Sequence, residues 1–94
     1  MSQSIMSDER ECLICKTTLG LHRHHIYGGV GRRSKSEKYG CWCYLCGRHH
    51  NLSNQGVHYN RQLDMRLKQE CQRRWEAKYG DRQDFRQVFG ISYL

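Results

Sequence analysis

The 94-residue sequence predicts a small α+β domain, in which two strands and a helix form a ββα unit, a zinc ion pins it, and further helix follows. Three observations predict this. Cysteine and histidine crowd into residues 11–50, pairs with metal-ligand spacing sit near both ends of that stretch, and a polar segment with helical periodicity begins near residue 61. The chain reads as one domain over 1–94, with a loose N-terminus at 1–10, a zinc knuckle and ββα core at 11–60, and a helical extension at 61–94. A chain of this length buries a thin core and commonly needs a metal or disulfides for stability.

The N-terminal MSQSIMSDERE is polar, with Ile5 and Met6 the residues that could dock. It holds no apolar stretch of the secretory kind, and no run approaches the ~18 apolar residues that cross a membrane. The six cysteines are therefore expected as reduced thiols, the clustered ones as metal ligands, and not as disulfides. LHRHHI at 21–26 has strand period, with Leu21, Arg23 and His25 facing one way and His22, His24 and Ile26 the other. YGCWCYLC at 39–46 suits a second strand, and GGVGRRSKSEK between them reads as a flexible basic loop. NLSNQGVHYN at 51–60 reads as a loop or an irregular helix start. Leu63, Leu67, Cys71, Trp75 and Tyr79 then recur every four residues as one stripe on a helix that Asn60 can cap. In that stripe Cys71 is expected to pack as a small hydrophobe. A second short helix follows, capped by Asp81, with Phe85, Val88 and Phe89 as its apolar face.

Cys12 and Cys15 form a C-x2-C pair, and Cys46 and His49 a C-x2-H pair. A tight turn of this spacing aims two donors at one ion, and two such pairs complete the tetrahedron that structural Zn²⁺ takes. The expected site is Cys12, Cys15, Cys46 and His49. Cys43 and Cys46 form a competing C-x2-C pair. On a strand that runs through residue 46 those two side chains point to opposite faces, which favours the set with His49 and leaves Cys41 and Cys43 packed on the face of Leu45.

Three of the six histidines lie within residues 22–25. Assigning His49 to zinc leaves His50, which at a strand-to-helix junction looks another way, toward the hairpin. His24 and His25 also point apart, so that one can hold a metal while the other stands free. His22 shares the side of His24 but comes earlier in the strand, and is expected to be an exposed or packed bystander. The glycines at 28, 29 and 31 match no dinucleotide-binding fingerprint.

HHI at 24–26, followed after a spacer by LCGRHH at 45–50, resembles the motif of the HNH endonucleases, the ββα-metal or His-Me finger nucleases. The longer pattern is similar to that of small HNH-like proteins encoded by phages and prophages, which implies a location in the cytoplasm of a bacterial host. Carried over residue by residue, the resemblance makes His25 the general base and His24 and His50 ligands of a catalytic divalent ion, Mg²⁺ or Mn²⁺, with Zn²⁺ and Ni²⁺ as alternatives. The third ligand is left between Asn54, one helical turn beyond His50, and His58; the polar, glycine-containing NLSNQG favours a chain break and therefore His58. The implied reaction is phosphodiester hydrolysis by in-line attack of water. One position departs from the family pattern: Cys41 stands where members often carry an asparagine that orients the loop supporting the base.

A formal charge of +7, from sixteen Lys and Arg against nine Asp and Glu, favours an anionic partner. The resemblance makes double-stranded DNA the expected one, with Arg32, Arg33, Lys35 and Lys38 set to meet phosphates without reading bases. A non-catalytic zinc-stabilised DNA-binding module and a phage factor that acts on another protein are the alternatives from other functional classes.

Overall fold

The computed structural model describes residues 3–52 and 56–94. Two strands, β1 (Leu21–His25) and β2 (Trp42–Cys46), pair antiparallel, with Leu21 opposite Cys46 and His25 opposite Trp42. Residues directly opposite each other project to the same face. One face of the hairpin thus carries Arg23, His25, Trp42 and Tyr44, and the other carries His22, His24, Cys43 and Leu45. The second face is the core face, where Cys43, Leu45 and His24 are buried. The alternation expected for β1 holds, as does the grouping of Cys41, Cys43 and Leu45.

The segment between the strands differs from expectation. The composition of 28–38 predicts a flexible loop, yet Arg32–Tyr39 form a helix, α1. Tyr39 closes that helix, and β2 starts only at Trp42. The helix has no apolar period to reveal it, because its residues, RRSKSEKY, are almost all polar. Its stability comes from elsewhere. Gly40 ends it in the left-handed conformation, φ 75°, with its N–H donating to the Ser36 carbonyl. The Ser36 hydroxyl, fully buried, donates to the Tyr27 carbonyl and accepts from the Tyr27 N–H. Tyr39 packs edge-on against Trp75 and Tyr79.

After β2 comes a single turn, α2 (Gly47–His50), then α3 (Arg61–Lys78) and α4 (Arg82–Phe89). The expected caps are in place: the Asn60 side chain accepts from the Leu63 N–H, and Asp81 and Asp84 form a reciprocal capping box. Leu67, Cys71 and Trp75 of the α3 stripe are buried, with Phe85 and Phe89 of α4 against them. Tyr27, just past the end of β1, joins the two halves of the chain. Its ring meets Phe89 at 4.6 Å and Tyr93 at 5.3 Å between centroids, and its hydroxyl donates to the Lys68 carbonyl at 2.6 Å. The end of the histidine-bearing strand is thereby clamped to the helical extension.

The N-terminal segment is not loose throughout. Met6 is in the core, the Ile5 N–H donates to the Gly40 carbonyl, and Arg74 donates to the carbonyls of Ile5 and Met6. The radius of gyration is 12.7 Å, close to the ~13 Å of a 100-residue domain, and one buried cluster draws on strands and helices alike. All six cysteines are unbridged. Among the described residues, no helix is long and apolar enough to cross a membrane.

Candidate metal centre

Among the described residues two groups of donors converge, and they part between adjacent residues, His49 and His50. The first is Cys12, Cys15, Cys46 and His49, whose donor atoms all lie within 4.8 Å of one another. Two local turns build it. The Cys12 N–H donates to the Thr17 carbonyl and the Lys16 N–H to the Cys12 carbonyl, which folds the knuckle; the Leu13 N–H donates to the Tyr44 carbonyl, which docks it beside β2. From the other side, β2 ends at Cys46 and α2 brings His49 round one turn. Cys15 Sγ lies 3.7 Å from Cys46 Sγ, Cys12 Sγ 3.7 Å from His49 Nδ1, and Cys46 Sγ 3.3 Å from the same nitrogen. A tetrahedral zinc with ~2.3 Å bonds to sulfur has edges of about 3.5–3.8 Å, so the spacing fits that ion. The donor set is consistent with a structural zinc.

Electrostatics act in the same direction. Burial alone would raise the Cys12 thiol, but the backbone N–H groups of Cys15, Cys46 and Ile14 outweigh it and bring its pKa down to about 6. A thiolate is the form that ligates. The competing Cys43 lies outside the cluster, facing the core, where burial pushes its thiol up to about 12.

The second group is His24, His50 and His58, with one ring nitrogen from each within 4.8 Å of the others. His24 comes from the core face of β1 and His50 from α2. His58 comes from the turn that follows, which folds back on α2 through Val57 N–H to His49 C=O and His58 N–H to His50 C=O bonds. Gly56 permits this close return, since a Cβ there would stand 2.6 Å from the His50 carbonyl oxygen. His50 Nε2 and His58 Nε2 are 3.1 Å apart. His24 Nε2 is buried without a hydrogen-bond partner among the described residues, and such an orphaned nitrogen calls for a cation or water. Burial, with His50 and His58 nearby, lowers the pKa of His24 to about 3, and burial followed by His58 and His22 lowers that of His50. Both rings thus favour the neutral form that offers a lone pair. Asn54, the other candidate third ligand, lies outside the described residues.

His22 packs against His50. Its Nδ1 lies 2.9 Å from Nδ1 of His50, so one ring donates to the other and the Nε2 of His50 is turned toward His58. The parity of β1, which puts His22 on the side of His24, was the signal for this contact. A metal-ligating histidine is commonly oriented through its other ring nitrogen in this way.

His25 projects from the opposite face of β1. Its Nε2 is 2.7 Å from a carboxylate oxygen of Glu37 on α1. Glu37 is a residue that sequence reasoning missed, because it depends on a helix that the polar composition hides. His24, His25, His50 and His58 all line one open cleft of about 660 Å³, together with Arg33, Asp64 and Lys68. Of the basic residues expected to meet phosphate, Arg33 lines this cleft. Lys35 donates to the Val88 carbonyl, Lys38 lies beside the Tyr39 ring, and Arg32 opens α1. Lys68, ion-paired to Asp64 at 2.8 Å, is a cleft cation the sequence did not single out. At the departing position, Cys41 is buried; its carbonyl accepts from the Ile26 N–H and its own N–H donates to Ser36.

Comparison of the chain with protein-family models, with curated proteins and with solved structures returned no match.

Proposed function

We propose that this chain is a metal-dependent endonuclease of the HNH type that hydrolyses phosphodiester bonds in DNA. The observation that carries the reading is the placing of three convergent histidines and a fourth, outward-facing one in a single cleft. His24, His50 and His58 would hold a divalent ion, which supplies polarisation of the scissile phosphate and stabilisation of the leaving oxygen. The neutral donors and the orphaned His24 nitrogen suit such a cation.

The remaining steps belong to the chain's own residues. His25 lies in the cleft, off the ligand set, and is the general base. It takes the proton of the attacking water as the new P–O bond forms and the P–O3′ bond breaks. The leaving O3′ takes a proton from solvent water, and the products are a 5′-phosphate and a 3′-hydroxyl. Arg33 and Lys68 offer positive charge along the cleft, where they would seat the phosphate backbone. The zinc knuckle holds the N-terminal segment to the end of β2 and takes no part in the chemistry.

The test is plasmid nicking over a panel of divalent metals. Wild type is expected to nick with Mg²⁺ or Mn²⁺ and to stop in EDTA. His25→Ala is expected to lose about 10²–10⁴-fold in rate while folding and DNA binding persist. Equal cutting by both proteins removes the base assignment, and binding without cutting under every metal identifies a DNA-binding module instead.

A further inference from the structure

The His25 imidazole is not held by β1 alone. Its Nε2 lies 2.7 Å from one carboxylate oxygen of Glu37, and Arg23 Nη1 donates to the other at 2.5 Å. Arg23 is itself laid over the Trp42 ring, 3.7 Å from its centroid. Arg23 and His25 sit on one face of β1, and Trp42 is the register partner of His25 on β2. Glu37 comes down on them from α1, whose position is set by the two-way Ser36–Tyr27 clamp and by the Lys35 to Val88 bond. The side chains of Arg23, His25 and Glu37 are each only about a quarter exposed, at 25%, 23% and 29%, so water screens the set only in part.

An ionised carboxylate can only accept hydrogen bonds. A neutral imidazole beside it must therefore place its single N–H on Nε2, and Nδ1 is left with the lone pair. We propose that Glu37 is the positioning residue for His25: it fixes the Nε2–H tautomer and thereby makes Nδ1 the nitrogen that accepts the proton of the attacking water. Arg23 holds the carboxylate against the pull of solvent. This rests on the reading of His25 as the base, but the tautomer can be measured without any cleavage.

The experiment is long-range ¹H–¹⁵N correlation spectroscopy of the ¹⁵N-labelled full chain with zinc bound, read at the His25 ring, for wild type, Glu37→Ala and Glu37→Gln. Wild type is expected to show the Nε2–H tautomer. Glu37→Ala is expected to show shifts averaged between the two tautomers, and Glu37→Gln, whose amide can donate as well as accept, to lose the strict preference while keeping the packing. In the nicking assay both variants should lose roughly tenfold to a hundredfold in kcat, part of the ~10²–10⁴ that general-base catalysis supplies, with KM little changed. A wild-type Nδ1–H tautomer, or a ring whose shifts are the same in all three proteins, overturns the proposal whether or not DNA is cut. A change of tautomer in a protein that never nicks DNA upholds the positioning and overturns the nuclease reading instead.

Discussion

His49 and His50 are neighbours in sequence and serve two unlike groups. His49 completes a set with three cysteines, built from two pairs each three residues apart. His50 joins His24 and His58, which come from a strand and from a turn and meet only in the folded chain. The first set has four donors, the number that a closed structural zinc site takes. The second has three and borders an open cleft. The two sites differ in donor chemistry, three thiols and an imidazole against three imidazoles, and in placement: one set joins the N-terminal knuckle to the end of β2, and the other borders a cleft.

The comparison breaks first at the knuckle. Cys46→Ser should cost most, because binding of a structural zinc contributes on the order of 10 kcal/mol to folding in small domains. A circular-dichroism melt with the zinc content measured alongside should show an unfolded, zinc-poor protein. A folded, zinc-free Cys46→Ser chain would remove the structural site. The adjacent histidines sharpen the contrast further. His49→Ala should lower zinc content and the thermal midpoint together, whereas His50→Ala should keep one zinc and most of the stability but weaken binding of the second ion. Titration with Mn²⁺, followed by its paramagnetic effect on water relaxation, measures that second affinity. Identical phenotypes for the two variants would mean that the two groups are one site.

The smallest effect is the dependence of stability on acid. Unfolded, the His24 imidazole takes its proton near pH 6.5; folded, burial and the neighbouring His50 and His58 hold it neutral to about pH 3. Its contribution is therefore complete above pH 6.5 and is lost as pH falls from there toward 3. Urea midpoints at pH 7.5 and 5.5 should drop less for His24→Gln than for wild type, since the loss of zinc ligation in acid is common to both. Equal drops would show that His24 is not held neutral by the fold.

Much of this architecture was legible in the residues. The four donors of the Cys/His cluster could be grouped because C-x2-C and C-x2-H pairs are local, and strand parity separated Cys46 from Cys43. The four-residue recurrence from Leu63 to Tyr79, with caps at Asn60 and Asp81, marked α3 and α4. Helix α1 was not legible, because Arg32–Tyr39 carry no apolar period and are held by Ser36, Gly40 and packing of Tyr39 on a distant helix. Glu37 was hidden with it. The contact of His22 with His50 was within reach of the parity argument, but a strand pattern gives a face and not a partner.

By itself, then, the sequence determined what depends on spacing along the chain: which donors can share an ion, which side chains share a strand face, and where the long helices begin. Only the tertiary structure decided the pairings across 12 residues or more, Glu37 with His25 and His22 with His50. The reason is physical. Local geometry follows from bond lengths and dihedral preferences over a few residues, whereas a contact between distant segments exists only once packing has brought strand and helix together.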